Sequence, residues 1–298
     1  MIAKLRAVSV AIGVFLAAVS PATAWQVEPL AALPRALGAE RCERAPNGLP
    51  DGCVARSSGD VARAWYEDPT DRYRHAILGD ALEAASLTVR TRNGQTVRLT
   101  LPGDQVFEDR TPRIADLDGD GRMEVVTIRS SARGGGSVAL FGVRSGELRE
   151  IASGPFIGRS NRWLNIAGIA DFLGTGRQQI AYVETPHIGG VLKLLTFDGT
   201  SARVVLSRSG FSNHEIRSRE MRLSALADLN GDGLPDLILP NTRRTALELV
   251  TFASGRVDSL ASIAMPNTII GPVAADGTGG NFRILVQLSG GQAVAVRP

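Results

Sequence analysis

Two short acidic loops carry the clearest chemistry in this 298-residue chain. In the first loop, aspartates alternate with apolar or small residues, Gly121 permits a sharp bend, and an acid returns three residues later. Such spacing gathers hard anionic oxygens around one point, and Ca²⁺ takes six to eight oxygen ligands in proteins. The predicted ligands are Asp116, Asp118, Asp120, the carbonyl of Arg122 and Glu124.

The second acidic loop is a near-copy of the first, and it predicts a second Ca²⁺ site. Its ligands would be Asp228, Asn230, Asp232, the carbonyl of Leu234 and Asp236. The alternative is a solvated turn without an ion, because Asp, Asn and Gly favour turns unaided. We favour the ion, since crowded carboxylates repel one another without a cation. These loops are not EF-hands, because the closing acid comes at position nine and not at position twelve.

Two weaker copies of the loop complete a repeat pattern. The middle copy keeps Asp171 but has Leu173, Thr175 and Gln179 at the other ligand positions, so a third site there is predicted to bind Ca²⁺ weakly or not at all. A last copy has Ala275 at its leading position, followed by Asp276. The leading positions of the four copies are separated by 55, 57 and 47 residues.

Short apolar runs bounded by glycine-containing turns follow each loop, and they predict β-strands. A period of about 50 residues with several strands fits the blades of a β-propeller. We therefore predict an all-β chain with a single propeller of about five blades, with six or seven as alternatives. The last repeat is too short for four strands, so an N-terminal strand before or around Val61–Tyr66 should complete it and close the ring.

The N-terminus predicts export. Lys4 and Arg6 precede an apolar run, and an Ala-x-Ala pattern ends at Ala24, so residues 1–24 read as a signal peptide cleaved after Ala24. The apolar run is shorter than the ~20 residues that span a bilayer. We expect a periplasmic or secreted mature protein without a membrane span.

Composition and the two cysteines indicate the size of the core, the net charge and one covalent link. Hydrophobic residues make up 44% and charged residues 21%, which is enough for a sizeable core. The net charge of +3 falls to +1 without the signal peptide, so no general attraction to nucleic acid is predicted. Cys42 and Cys53 are predicted to form a disulfide that pins an N-terminal extension, residues 25–53, ahead of a repeat domain over residues 54–298.

The acidic loops resemble those of the FG-GAP/VCBS repeat family, in which D-x-[DN]-G-D-G-x-x-[DE] is followed by an apolar strand. The resemblance implies a β-propeller with Ca²⁺ in blade loops, as in integrin α-chains and exported proteobacterial proteins. It implies the same ten ligand positions given above. It covers about residues 54 to 298, and its specific part is confined to the two strong loops.

Three functions are compatible with this pattern, and a non-enzymatic role is favoured over an enzymatic one. The first is a non-enzymatic binding module for a protein or polysaccharide. The alternatives are a structural accessory subunit of an envelope complex, and a hydrolase or lyase that uses the propeller cleft. The histidines form no recognised catalytic motif, and His187 is interpreted as a surface loop residue. Trp163 and Phe211 are predicted to pack between blades.

Overall fold

Alternating apolar residues and glycine turns produce strands throughout residues 25–298, the part of the chain that the computed structural model describes. Within these residues the only other regular elements are three short 3-10 turns, Arg35–Leu37, Gly279–Asn281 and Ser289–Gly291. The prediction of an all-β chain is therefore confirmed. The predicted signal peptide, residues 1–24, lies outside the described residues. Among the described residues, no helix is long and apolar enough to cross a bilayer.

The strands form four antiparallel sheets, none of which closes on itself. The largest sheet has nine strands and consists of two four-stranded meanders that one short strand bridges. The strands of the first meander are β2 (Ala55–Arg56), β3 (Val61–Thr70), β4 (Glu83–Thr91) and β5 (Thr96–Thr100). The bridging strand is β6 (Gln105–Phe107). The strands of the second meander are β7 (Arg113–Ala115), β8 (Glu124–Ser131), β9 (Gly135–Arg144) and β10 (Glu147–Ser153).

Each of the other three sheets is one further four-stranded meander. The third consists of β11 (Leu164–Ala170), β12 (Gln179–Glu184), β13 (Val191–Phe197) and β14 (Ala202–Ser209). The fourth consists of β15 (Ala225–Ala227), β16 (Asp236–Pro240), β17 (Ala246–Thr251) and β18 (Asp258–Ala264). The fifth consists of β19 (Ile269–Asp276), β20 (Arg283–Leu288), β21 (Ala293–Arg297) and the N-terminal strand β1 (Gln26–Pro29).

The strand that completes the last sheet does not lie where the sequence placed it. β1 pairs antiparallel with β21, with Val27 opposite Val296, so an N-terminal strand does complete the last meander. That strand comes from the segment predicted as an extension, however, and the stretch around Val61–Tyr66 lies in β3 of the first meander. The alternating side chains of β3 pack into the core beside β4, the next strand in the chain, and this local pairing holds β3 in the first meander.

The hydrophobic core consists of layers between successive meanders. Along β12, Ile180 and Tyr182 pack towards the second meander, whereas Ala181 and Val183 pack towards the fourth. Successive side chains of a strand point to opposite faces, so each middle strand contributes to two layers. The same arrangement joins the first meander to the second and the fourth to the fifth. The meanders thus stack face to face in chain order.

The outermost strands of the three central meanders share an irregularity. In β10, β14 and β18 one residue has no opposite residue on the neighbouring strand, namely Ile151, Val205 and Leu260 respectively. Each is a one-residue β-bulge on the strand that ends its sheet.

The segment that joins β1 to the first meander crosses the ends of several inner strands. We call residues 30–41 the strap. Leu37 of the strap is buried against the fifth meander, and Arg222 donates a hydrogen bond to the Gly38 carbonyl at 2.9 Å. Immediately after the strap, Cys42 and Cys53 form the predicted disulfide.

Candidate metal centres

The four repeated loops occupy equivalent places in the fold. Each connects the first strand of a meander to its second strand, between β7 and β8, β11 and β12, β15 and β16, and β19 and β20. Neighbouring loops touch, because the Gln178 N–H donates to the Leu117 carbonyl at 2.9 Å. The loop between β2 and β3 lies beside them, since Asp60 accepts the Met123 N–H at 2.8 Å. We call this end of the molecule the Asp-loop end.

The first loop is folded around the Asp116 carboxylate. Its two oxygens accept the N–H groups of Gly119 and Gly121 at 2.8 and 3.0 Å. Both glycines have positive φ, +78° and +84°, a conformation that is costly for other residues. One carboxylate oxygen from each of Asp116, Asp118 and Asp120 lies within 4.8 Å of the others. The structure therefore brings together three of the predicted ligands.

Glu124 closes the first loop from inside the protein. It is fully buried, and one of its oxygens accepts the Leu117 N–H at 3.0 Å. Its other oxygen lies 3.2 Å from a guanidinium nitrogen of Arg144. Burial raises the pKa of Glu124 to about 7. Arg144, on β9, is a partner that the loop sequence did not indicate.

The second strong loop has the same scaffold. The oxygens of Asp228 accept the N–H groups of Gly231 and Gly233 at 2.7 and 2.9 Å. The Leu234 N–H donates to Asp232 at 2.8 Å. The Asn230 amide donates to the second oxygen of Asp232 at 2.9 Å. Four of the predicted residues are thus held in one turn by bonds from the loop itself.

Asp236 closes the second loop and has one oxygen without a partner. Its Oδ2 accepts the Leu229 N–H at 2.9 Å, as Glu124 does at Leu117. Its Oδ1 is buried and has no hydrogen-bond partner among the described residues. Burial raises the pKa of Asp236. A buried carboxylate oxygen left unpaired is costly, and a bound cation would remove that cost.

The middle loop shows what replaces the closing carboxylate. Asp171 accepts the N–H groups of Thr175 and Gly176 at 2.9 and 2.6 Å, as the aspartates of the strong loops do. Gln179 stands where Glu124 and Asp236 stand, and its Oε1 likewise accepts a loop N–H, from Leu173.

The difference lies in the second polar atom of Gln179. Its Nε2 donates to the Arg177 carbonyl at 2.6 Å and to Thr175 Oγ1 at 3.2 Å. These two oxygens correspond to ligand positions in the strong loops, so an N–H donor already bonds the oxygens that a cation would need. In the fourth loop, Asp276 pairs with Arg283.

The histidines, which sequence reasoning left without a role, lie at the other end of the meanders. His187 was interpreted as a surface residue, but it is partly buried and its Nε2 lies 2.9 Å from Nδ1 of His214. His214 Nε2 lies 3.0 Å from the Ser218 carbonyl, which can only accept. Neutral His214 therefore accepts at Nδ1, and His187 donates.

Trp163 packs against this histidine pair and is buried, as predicted, together with Phe211. Its ring lies parallel to that of His187, with the ring centroids 6.2 Å apart, and meets His214 edge to face at 4.7 Å. Its indole N–H donates to the Glu108 carbonyl at 2.8 Å. The histidines are 27 residues apart, and no short motif links them.

The histidine pair predicts a loss of stability in acid. Burial lowers the pKa of His187 to about 4 and that of His214 to about 3, with the neighbouring ring adding to the effect at His214. Unfolded histidine titrates near pH ~6.5. Below that pH the unfolded chain binds more protons than the folded chain, so the free energy of unfolding falls as pH falls.

We expect His214→Gln to lose less stability than the wild type between about pH 7.5 and about pH 5, by about 2 kcal/mol. Urea unfolding of both proteins at the two pH values measures this difference. Burial raises the pKa of Glu83 to about 7, which acts in the opposite direction. Its effect is the same in both proteins and cancels in the comparison. Identical pH dependence would contradict the prediction.

Comparison with known proteins supplies no relative from which function could be transferred. No protein-family model matches the chain, and no curated protein matches it either.

Proposed function

We propose that the chain is an exported, calcium-stabilised β-propeller that acts as a non-enzymatic binding module for a protein or polysaccharide. The five four-stranded meanders, stacked in chain order, support a five-bladed arrangement. β1 supports closure, because a strand from the N-terminus completes the last blade beside β21. In this arrangement the first strand of each blade faces the central axis, and β7 and β11 line a common cavity of about 450 Å³.

The single observation that best supports the calcium proposal is the difference between the residue that closes the middle loop and the residues that close the strong loops. In the middle loop, Gln179 bonds the surrounding oxygens with its own amide N–H. In the second strong loop, Asp236 presents a buried oxygen that has no partner among residues 25–298. The first strong loop instead clusters three aspartate carboxylates. Carboxylate oxygens without hydrogen-bond donors or cationic partners suit a hard divalent cation, which prefers oxygen ligands.

The ligand sets differ in detail between the two proposed sites. In the first, Arg144 shares Glu124 with the ion and compensates part of the ligand charge. In the second, the Asn230 amide must turn its oxygen inwards, since its nitrogen now faces Asp232. Both sites also offer a backbone carbonyl, from Arg122 and Leu234. We therefore propose one Ca²⁺ in each strong loop.

The disulfide supports export. Disulfides persist in oxidising compartments and are rare in the reducing cytosol. The Cys42–Cys53 bond holds the segment that follows the strap, next to the first blade. A periplasmic or secreted location agrees with this bond and with the signal peptide that the sequence predicts.

Calorimetric titration of the folded protein with Ca²⁺ tests the proposed sites. We expect two ions per chain for the wild type, and one after Asp118→Ala. The control is Asp171→Ala, which removes the aspartate that leads the loop closed by Gln179 and should leave the number at two. An absence of binding heat at several temperatures, or the same loss in the control, would refute the assignment.

A further inference from the structure

The two ends of the molecule carry different loops. The loops after the first and third strand of each meander lie at the Asp-loop end. The loops after the second and fourth strand lie opposite, and we call that side the distal end. Contacts between meanders join the distal loops: the Thr242 N–H donates to the Gly210 carbonyl, and the Ile269 N–H donates to the Arg244 carbonyl. The strap crosses this end too, held by Arg222.

Exposed apolar side chains are concentrated at the distal end. Seven large apolar residues are exposed among residues 25–298, and two of these, Val205 and Leu260, are bulge residues of outer strands. The other five all lie in distal loops or in the strap: Leu33, Leu82, Phe156, Ile188 and Ile216. Ile188 and Ile216 are 61% and 59% exposed, and they flank the hydrogen-bonded pair of His187 and His214.

The distal end also carries arginines that no acidic side chain neutralises. Eight of its arginines form no ion pair with the described residues: Arg35, Arg41, Arg72, Arg133, Arg159, Arg162, Arg217 and Arg243. The acids of these loops are buried or paired, as Asp80 is with Arg219, Glu215 with Arg244 and Glu220 with Arg222. Asp104 is the exposed exception.

The Asp-loop end has the opposite charge. Eight aspartates lie in its loops: Asp60, Asp116, Asp118, Asp120, Asp171, Asp198, Asp228 and Asp232. Only four arginines accompany them: Arg92, Arg122, Arg177 and Arg256. The near-zero net charge of the mature chain therefore conceals a strong separation of charge along the molecule. A separation of this kind orients a protein in an external field.

We propose that the distal end binds the surface of an anionic phospholipid bilayer. Unpaired arginines are attracted to anionic headgroups, and the acidic end is turned away from the same surface. The apolar side chains protrude from separate loops with arginines between them. A fluid interface can receive such scattered side chains individually, whereas a protein partner would need a matching pocket for each. A planar anionic surface can also attract the arginines of all the distal loops at once.

This binding requires neither the proposed Ca²⁺ ions nor closure of the proposed propeller ring. The arginines and apolar residues involved lie away from the Asp loops. The test is sedimentation of the mature protein, in EDTA, with vesicles of phosphatidylcholine alone or mixed with phosphatidylglycerol. EDTA prevents Ca²⁺ from bridging the acidic end to the lipid. We expect binding to the mixed vesicles only, and a marked loss of that binding as salt is added.

Three double variants locate the surface. Arg159→Glu with Arg217→Glu should weaken vesicle binding by about tenfold or more, because each change replaces attraction by repulsion. Ile188→Ser with Ile216→Ser should weaken it at every salt concentration. Arg177→Glu with Arg256→Glu makes the same change in net charge at the Asp-loop end and should leave binding unchanged. Circular dichroism confirms that each variant is folded.

Several results would overturn the proposal. One is failure of the folded wild type to bind mixed vesicles, which would leave the distal end as a surface for an acidic protein. Another is equal binding to neutral vesicles, and a third is equal weakening by the control pair. Full competition by soluble glycerol phosphate would indicate a headgroup pocket and not a bilayer surface. None of these results bears on the calcium titration.

Discussion

Removing Ca²⁺ with EDTA should lower the melting temperature of the mature, oxidised protein. An ion that binds only the folded state stabilises it by about 2.7 kcal/mol per site when free Ca²⁺ is about a hundredfold above Kd. For a chain of this size that corresponds to roughly 5–10 °C per site. The unfolded chain does not hold the aspartate oxygens together, so it gains no comparable binding. Thermal unfolding followed by circular dichroism, in EDTA and then in excess Ca²⁺ or Mg²⁺, measures the shift.

The variants for this experiment follow from the loop geometry. Asp118→Ala combined with Asp232→Ala should abolish the response to Ca²⁺, since each change removes a carboxylate from one strong loop. Asp171→Ala should retain the full response, because Gln179 bonds the oxygens of that loop without an ion. A wild-type melting temperature that is the same in EDTA and in Ca²⁺ would show that the loops are turns without an ionic role.

Trp163→Ala should destabilise the protein by about 3–5 kcal/mol. The indole is 2% exposed and packs against the rings of both His187 and His214. Truncation leaves a cavity between the second and third meanders and removes the donor to the Glu108 carbonyl. Urea unfolding followed by circular dichroism measures the loss.

Two further tryptophan variants separate packing from hydrogen bonding. Trp163→Phe keeps most of the buried area but leaves the Glu108 carbonyl unpaired, so it should cost about 1–3 kcal/mol. Trp65→Ala is the matched control, since Trp65 is only partly buried in β3, and its loss should be clearly smaller. A cost for Trp163→Ala no greater than that for Trp65→Ala would contradict the packing role.

The sequence predicted what depends on neighbouring residues. The acidic loops are closed by bonds within nine consecutive residues, so their spacing indicated which aspartates meet. The sequence also showed that the middle loop has Gln179 in place of the closing acid. That its amide nitrogen bonds the loop oxygens could not be predicted, because this depends on the rotamer of one side chain.

The sequence did not correctly predict the contacts and strand pairings that join distant parts of the chain. Arg144 reaches Glu124 because β9 pairs with β8, and nothing in the loop sequence indicates this contact. β1 was predicted in the wrong segment, since its short Gln26–Pro29 stretch has no clear alternation and gains its partner only from the far end of the chain. The separation of charge was likewise not predicted, because the net charge does not show which loops lie at the same end of the molecule.

The bulges on β10, β14 and β18 bear on how copies of this chain behave when concentrated. A regular outer strand offers a row of free backbone groups on which another strand can grow, as in amyloid. At Ile151, Val205 and Leu260 the extra residue breaks the spacing of that row. Stacking of copies edge to edge is therefore opposed by the backbone itself, even where an apolar side chain is exposed. Deleting one bulge residue should turn that edge into a site of aggregation.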